Sequence, residues 1–381
     1  MNNKKLLFIV NVDQFFISHR LPIALKAMEM GFEVHLLCTI TDRAEYLESF
    51  GLIVHPFLFS RSGMNILGEL LCVINLYKQV KYINPEIVHL VTIKAVLYGG
   101  IVARLIKVPG VVSAISGLGF LFVERKGLVP RMRLSMVCFL YRLAMGHPNQ
   151  KVILQNPTDM KSLISAGGLS EEKVKLIRGS GVDLQDYPMW PEVGGVPVVV
   201  MASRLLKDKG VLEFVEAARI IKGKSIEARF QLIGEPDLGN PESVSCELVQ
   251  SWNDTGIVEC LGFRSDIAVL FAQAHIVTLP SYYGEGLPKV LIEAAACGRT
   301  VITTDMPGCR DAIESDISGI LVPARDAKKL AGAIERLITD VVLRQQMGRE
   351  GRILAEREFS IDKVVATHLG IYQELLVTLN D

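Results

Sequence analysis

Short, almost wholly apolar runs alternate with longer amphipathic ones through the first part of the chain. LLFIVNV, EVHLLC, IVHPF, EIVHLV and GVVSAIS are rich in β-branched residues and predict buried strands. Between them ISHRLPIALKAMEMG, TDRAEYLESFG, LGELLCVINLYKQVKYIN and AVLYGGIVARLIK predict helices. A run of β-α-β units implies a parallel sheet with helices on both faces. The register restarts after VDLQDYPMWPEVGGVP, where three prolines and two glycines within residues 188–197 mark a linker. PVVVMAS, ARFQLIG, GIVECLG, HIVTLP, TVITTD and GILVP then predict a second strand set, interleaved with the helices KGVLEFVEAARIIK, SDIAVLFAQA, PKVLIEAAACG and DAKKLAGAIERLI.

The pattern therefore gives an α/β chain of two Rossmann-like, doubly wound domains facing across a cleft. The expected boundaries are 1–190 and 191–360, with a closing helix over 361–381 that packs back toward the first domain. A ligand is expected at the strand C-terminal ends. Length agrees, because 381 residues exceed what one core usually supports. Residues 117–147 break the alternation. There Arg125, Lys126, Arg131, Arg133 and Arg142 sit among Phe, Leu, Met and Val, which suits a segment lying in a membrane interface. A buried helix whose arginines snorkel is the other reading.

Charge sharpens this. The formal net charge is zero, yet residues 1–150 hold 16 Lys and Arg against 9 Asp and Glu, leaving 25 against 32 for the rest. A basic front half points to an anionic membrane surface or a phosphorylated substrate, and an accident of composition is the plain alternative. Nucleic acid does not fit, since no dense Lys/Arg stripe carries interleaved aromatics. The seven cysteines show no C-x-x-C spacing and read as buried thiols of a reducing compartment. MNNKKLLFIVNV reads as a strand rather than a signal peptide, and no stretch of about 18 residues is apolar enough to span a bilayer.

The chemistry concentrates in SYYGEGLPKVLIEAAACG, residues 281–298. Pro288 stands where a helix should begin, so Gly284, Glu285, Gly286 and Leu287 fall in a turn between a strand C-terminus and a helix N-terminus. Unpaired N–H groups and the helix dipole there suit a phosphate ester or diphosphate. Glu293 leans back toward the helix start and could accept hydrogen bonds from two vicinal hydroxyls, as on a ribose. Glu285 would face whatever lies beyond the phosphates. The bland alternative is a solvated helix glutamate and a helix N-terminal charge. Arg204 and Lys209, just past VVVMAS, could neutralise a diphosphate leaving group, or simply form a solvated basic loop. No D-x-D and no tight histidine spacing occurs, so no metal is expected.

These residues resemble a family-4 retaining glycosyltransferase of the GT-B fold, and the resemblance covers nearly the whole chain. Its E-x7-E motif is matched by Glu285 and Glu293, and SRLLKDKG matches its diphosphate-binding Arg204 and Lys209. The resemblance implies that Glu293 holds the nucleotide ribose and Glu285 contacts the donor sugar. It also implies that the backbone at Phe263 and Arg264 of LGFRSDI reads the base, and that LIGEPD, with Gly234, flanks the nucleotide. AISGLGFLFVE, IKAVLYGGI and PGCRDAI are similar to transferases that extend sugars on a polyprenyl diphosphate. The implied reaction is transfer of N-acetylgalactosamine, α-1,3, from a UDP-sugar to an undecaprenyl-diphosphate-linked saccharide of O-antigen or other surface polysaccharide. The enzyme would be cytoplasmic, peripheral on the inner face of the membrane, with Arg125, Lys126, Arg131 and Arg133 on the lipid. Many members carry a glycine-rich loop after the first strand; NVDQFFISHRLP stands here instead and leaves Asp13, Ser18, His19 and Arg20 as acceptor candidates. Lys94, Ser116 and Gly117 join them, Ser116 standing where many members have a histidine.

Other donors remain open at this level, including UDP-N-acetylglucosamine, UDP-galactose, UDP-glucose and GDP-mannose. A sugar-nucleotide epimerase could share the architecture but would not need residues 117–147. A two-lobed sugar-binding protein would normally carry an export signal. A dehydrogenase is disfavoured, because no G-x-G-x-x-G follows the first strand.

Overall fold

In β1 (Lys5–Val12) every side chain from Leu6 to Val10 is buried. Successive side chains point to opposite faces, so Leu6, Phe8 and Val10 join one apolar core and Leu7 and Ile9 another. A strand covered on both sides reads as continuous rather than alternating hydrophobicity, which is why the sequence pattern is so plain. The computed structural model describes residues 4–59, 66–118, 136, 138–165 and 169–378. The chain forms two units, Met1–Ser180 with Asp362–Asp381, and Gly181–Ile361. The proline- and glycine-rich stretch at 188–197 belongs to the second unit. Its neighbours are tied there: Val182 donates to the Phe359 carbonyl (2.8 Å), Arg299 Nη2 to the Trp190 carbonyl (2.6 Å), and Arg344 pairs with Glu192 (2.9 Å).

Among the described residues the first unit is a seven-stranded parallel sheet in the order β3-β2-β1-β4-β5-β6-β7. After β1 come β2 (Glu33–Thr39), β3 (Ile53–Pro56), β4 (Ile87–Val91), β5 (Gly110–Ile115), β6 (Gln150–Leu154) and β7 (Val174–Leu176). Helices Asp13–His19, Leu21–Glu29 and Ile361–Val377 cover one face, and Ile66–Ile83, Ile93–Ile106 and the helical residues 138–144 cover the other. The stretch expected as one helix from ISHRLP onward is two. The break falls at Arg20 (φ −133°), because Pro22 supplies no N–H and fits only the first turn of the second helix.

The second unit is a parallel sheet in the order β10-β9-β8-β11-β12-β13, formed by β8 (Val198–Ala202), β9 (Arg229–Ile233), β10 (Glu259–Gly262), β11 (Ile276–Leu279), β12 (Thr300–Thr304) and β13 (Gly319–Val322). In each sheet the winding reverses beside the first strand, at β1/β4 and β8/β11, which opens a crevice at the strand C-terminal ends. No described helix is long and apolar enough to cross a membrane. All seven cysteines are free, and only Cys38, Cys297 and Cys309 are buried, Cys246 being exposed. Arg125, Lys126, Arg131 and Arg133 lie outside the described residues.

Candidate active site

The C-terminal ends of β8, β9 and β10 enclose a pocket of about 450 Å³, lined in part by Arg204, Gly234, Asp237, Phe263, Arg264 and Glu293. Gly234 makes that gathering possible. Its φ is +129°, and a Cβ there would lie 1.8 Å from the Ser203 carbonyl oxygen, so only glycine lets β9 end so close to β8. Its N–H donates to the Gly262 carbonyl, 2.8 Å away, joining the end of β10. Phe263 is 74% exposed, leaving an aromatic face on the pocket rim. Arg204 is also exposed and its Nη1 donates to Asp237 Oδ2 (2.8 Å). Arg264 is turned onto Asp266 (Nε to Oδ1 2.7 Å), so its side chain is occupied beside the pocket.

Glu293 sits in the helix Lys289–Ala296, whose first residue follows Pro288 rather than including it. It is 8% exposed. The Tyr187 hydroxyl donates to its Oε1 (2.9 Å) and Lys289 Nζ lies 3.4 Å away. Burial raises its carboxyl above the usual range, with Lys289 and Tyr187 working against that shift. A buried carboxylate with one neutral donor and one ion-paired lysine retains acceptor capacity for hydroxyl groups. Tyr187 was not expected from sequence, where it reads as part of a linker.

Lys209 and Glu285 form an ion pair, both side chains being largely buried, and Ser281 Oγ donates to Glu285 Oε1 (3.0 Å). Lys209 Nζ also lies 5.5 Å from the Tyr283 ring centroid. The turn Lys207–Lys209 is bound to the GEGL turn through Asp208, whose carbonyl accepts from Tyr282 N (2.9 Å) and lies 3.2 Å from Ser281 Oγ. Gly210 (φ +81°) then allows the chain to pass within van der Waals reach of the Pro280 carbonyl. On its other side the GEGL turn is pressed by Gly308, where a Cβ would lie 2.4 Å from the Gly286 carbonyl oxygen and 2.5 Å from that of Glu285. The amide of Glu285 is taken by the Tyr283 carbonyl (3.0 Å) and is not among the unpaired N–H groups expected of this turn. Gly284, Gly286 and Leu287 belong to the turn itself, and Gly286 and Leu287 are buried.

In the first unit, the buried carboxylate of Asp13 accepts from Gln14 N, Thr41 N and Thr41 Oγ1 (2.8, 2.8 and 3.0 Å) and so ties the end of β1 to the loop after β2. Arg20 is buried, its Nη1 on the His19 carbonyl (2.8 Å), and burial lowers its guanidinium to about 10. Ser18 caps Gln14 O and touches His19 Nδ1, while His19 stacks on Phe15 at 4.1 Å. Lys94 is paired with Glu69 (2.8 Å). At the crevice, Asn11 and Thr92 join the expected Ser116. Asn11 Oδ1, Thr92 Oγ1 and Ser116 Oγ are buried atoms without a hydrogen-bond partner. With Ile9 opposite Leu90 and Val91 opposite Ala114, they fall at the C-terminal ends of three adjacent strands. Thr92 has φ +79° and Gly117 +112°. A β-branched residue at positive φ is strained, and such strain concentrates at binding sites. Asn11 and Thr92 escaped the sequence reading because neither belongs to a motif. Among the described residues no group of His, Cys, Asp and Glu could hold a metal ion.

Residues 5–155 match the family model for glycosyl transferase 4-like domains, and residues 196–340 that for glycosyl transferases group 1. The chain is 30% identical over 357 residues, 88% of its length and 91% of the relative's, to the N,N'-diacetylbacillosaminyl-diphospho-undecaprenol alpha-1,3-N-acetylgalactosaminyltransferase of Campylobacter jejuni. It is 25% identical, over 91% of this chain and 90% of the relative, to the UDP-Gal:alpha-D-GlcNAc-diphosphoundecaprenol alpha-1,3-galactosyltransferase of Escherichia coli. Anabaena HepE, solved in complex with UDP, superposes with a TM-score of 0.76 at 19% identity, covering 97% of this chain and 100% of HepE. The chain belongs to this glycosyltransferase family. Its two Rossmann-like sheets are those of the GT-B fold, and it is a glycosyltransferase.

Proposed function

We propose that the enzyme transfers N-acetylgalactosamine, with retention and in α-1,3 linkage, from UDP-N-acetylgalactosamine to an undecaprenyl-diphosphate-linked saccharide during assembly of an O-antigen or other surface polysaccharide. The observation that supports a nucleotide-sugar donor is the buried carboxylate of Glu293 opening on a pocket with an exposed aromatic and a cation at its mouth, and N-acetylgalactosamine as its sugar is proposed from the Campylobacter relative. A ribose diol would donate to Glu293, the base would lie along Phe263 and the backbone of Arg264, and Arg204 would release Asp237 for the diphosphate. Lys209, already beside Glu285, would carry the charge that grows on the leaving diphosphate, while Glu285 meets the hydroxyls of the sugar. The lipid-linked substrate and the α-1,3 linkage are proposed from the Campylobacter and Escherichia relatives.

For the acceptor we place hydroxyl recognition at Asn11, Thr92 and Ser116, beside Gly117 and Lys94, with Asp13 and Arg20 shaping the loop behind them. A departing phosphate oxygen would take the proton of the attacking hydroxyl on the face the diphosphate leaves, which accounts for retention without a covalent nucleophile. The test incubates the protein and bacterial membranes with radiolabelled UDP-N-acetylgalactosamine, UDP-N-acetylglucosamine, UDP-galactose, UDP-glucose and GDP-mannose. Label in the organic-extractable lipid from the first donor alone supports the donor and the lipid-linked acceptor, and linkage analysis of the released saccharide by NMR reads the α-1,3 bond. Label from another donor corrects the sugar, and none from any, with free or epimerised sugar instead, overturns it.

A further inference from the structure

The face of the first unit built from Ile66–Ile83, Ile93–Ile106 and residues 138–144 is unusual for a surface in water. All three helices bury one side in the same core, through Leu76 and Val80, Val96 and Ala103, and Tyr141 and Ala144. They are neighbours: Lys94 and Tyr98 of the middle helix reach Glu69 of the first, and Gly100 packs on the Ala144 carbonyl of the third, where a Cβ would lie 2.5 Å away. Their outward sides remain strongly apolar. Leu67, Leu70, Leu71 and Ile74 follow i, i+3, i+4, i+7 spacing and are 70, 55, 60 and 41% exposed, and Met136 and Phe139 are 60 and 58% exposed. Such a stripe normally faces a core.

Charge completes the pattern. Across these three helices Glu69 is the sole carboxylate, and it is turned inward onto Lys94 and Tyr98, which hold it below the usual carboxylate range. The exposed charged residues are Lys78, Lys81, Arg104 and Arg142, with Lys107 following the middle helix. Tyr82, 83% exposed, stands beside Lys81. A protein-covered or solvated face carries both signs, whereas apolar side chains edged by cations and an interfacial tyrosine suit insertion among anionic headgroups.

We infer that this three-helix face is the membrane-docking surface of the enzyme, with Leu67, Leu70, Leu71, Ile74, Met136 and Phe139 entering the headgroup boundary and Lys78 and Lys81 meeting anionic lipid. It rests on the proposal that the acceptor is lipid-linked, and assigns the surface that would meet the bilayer holding it. None of these residues lies in the donor pocket or the row at Asn11, Thr92 and Ser116.

The test is co-sedimentation of the full chain with phosphatidylcholine vesicles, with and without about 30% phosphatidylglycerol, a fraction in the anionic range such surfaces need. The wild-type chain binds the anionic vesicles. Combined Leu67→Ser, Leu70→Ser and Leu71→Ser lowers the partition coefficient about tenfold or more, and Lys78→Glu with Lys81→Glu removes the preference for anionic lipid. UDP binding by calorimetry is followed in every variant, as a control for an intact second unit, and near-UV circular dichroism reports on the first. Vesicle binding unaltered by both sets of substitutions overturns the inference. So does a wild-type chain that ignores vesicles and sediments as a dimer dispersed by the leucine substitutions, since a second copy would then cover the stripe. Binding that depends on the stripe without label transfer to lipid would leave the surface standing and sink the acceptor reading; the reverse result would do the opposite.

Discussion

At the scale of the residue, Glu293 separates a structural glutamate from a functional one. Its surroundings offer one hydroxyl and a lysine 3.4 Å away, too little to account for burying a carboxylate by stability alone. Glu293→Ala should therefore raise the KM for the nucleotide sugar about tenfold to a hundredfold, the value of one or two hydrogen bonds to a charged group, while the thermal midpoint stays level or rises. A KM within twofold of wild type in initial-rate measurements would return Glu293 to the scaffold. Gly308 is the complementary case, touching the GEGL turn only through backbone. An added methyl would face carbonyl oxygens at 2.4 and 2.5 Å, atoms that cannot rotate away. Gly308→Ala should cost about 2 kcal/mol or more in denaturant unfolding and, by displacing Glu285, depress kcat more than KM. An unchanged kcat would show that the position of the turn does not matter to the reacting sugar.

At the scale of the element, the eleven strands read from apolar runs are all present; the central ones are buried on both faces and leave an unbroken apolar signature, while the edge strands β3 and β10 are only partly buried. β6 and β7 escaped: QKVIL carries two polar residues, one of them buried Gln150, whose Nε2 finds Ser113 Oγ (2.9 Å) only after folding. The E-x7-E pair was legible because a turn and a helix are local, but Tyr187 on Glu293 and Asp237 on Arg204 are set by strand order, which a single sequence does not display. The C-terminal helix Ile361–Val377 shows what such tertiary pairing does to titration. His368 lies in it, stacked 5.5 Å from His89 of β4, whose Nδ1 lies 2.6 Å from the Tyr372 hydroxyl; the charge of buried Arg20 acts on both rings. Desolvation, with that cation adding to it, lowers His368 to about 3 and His89 well below 6.5. In the unfolded chain both take up protons near pH 6.5, so the unfolded state binds more protons between that pH and the folded values. Stability of the first unit should thus be level above about pH 7 and fall at up to about 1.4 kcal/mol per pH unit per histidine as pH drops from 6.5 toward 3. Urea midpoints across that range would measure the slope, and His368→Gln should reduce it by about one proton; an unchanged slope would mean the ring is hydrated in the folded state.

At the scale of the whole molecule, the chain closes its two units in unequal ways. The core of Gly181–Ile361 is drawn from that stretch alone, from Val182 through Phe359. One of the two cores of the first unit borrows Val364, Leu369, Ile371, Tyr372 and Leu375 from the last helix, where they pack with Leu6, Phe8 and Ile87. Asn149 fastens the same helix by donating to the Leu375 carbonyl (2.8 Å). Ending the chain after Ile361 would strip five buried apolar side chains from that core, each worth about 1.5–3 kcal/mol, against a total stability of about 5–15 kcal/mol for a domain. The first unit should then lose its cooperative transition, while the second, which holds the pocket with Arg204, Phe263 and Glu293, keeps its own. Such a chain should bind UDP with an affinity within a few-fold of the full protein by calorimetry, yet transfer no sugar, since the crevice at Asn11, Thr92 and Ser116 would no longer exist. Loss of UDP binding together with transfer would mean that the donor pocket depends on the first unit, and would move residues of that unit into the description of the nucleotide site.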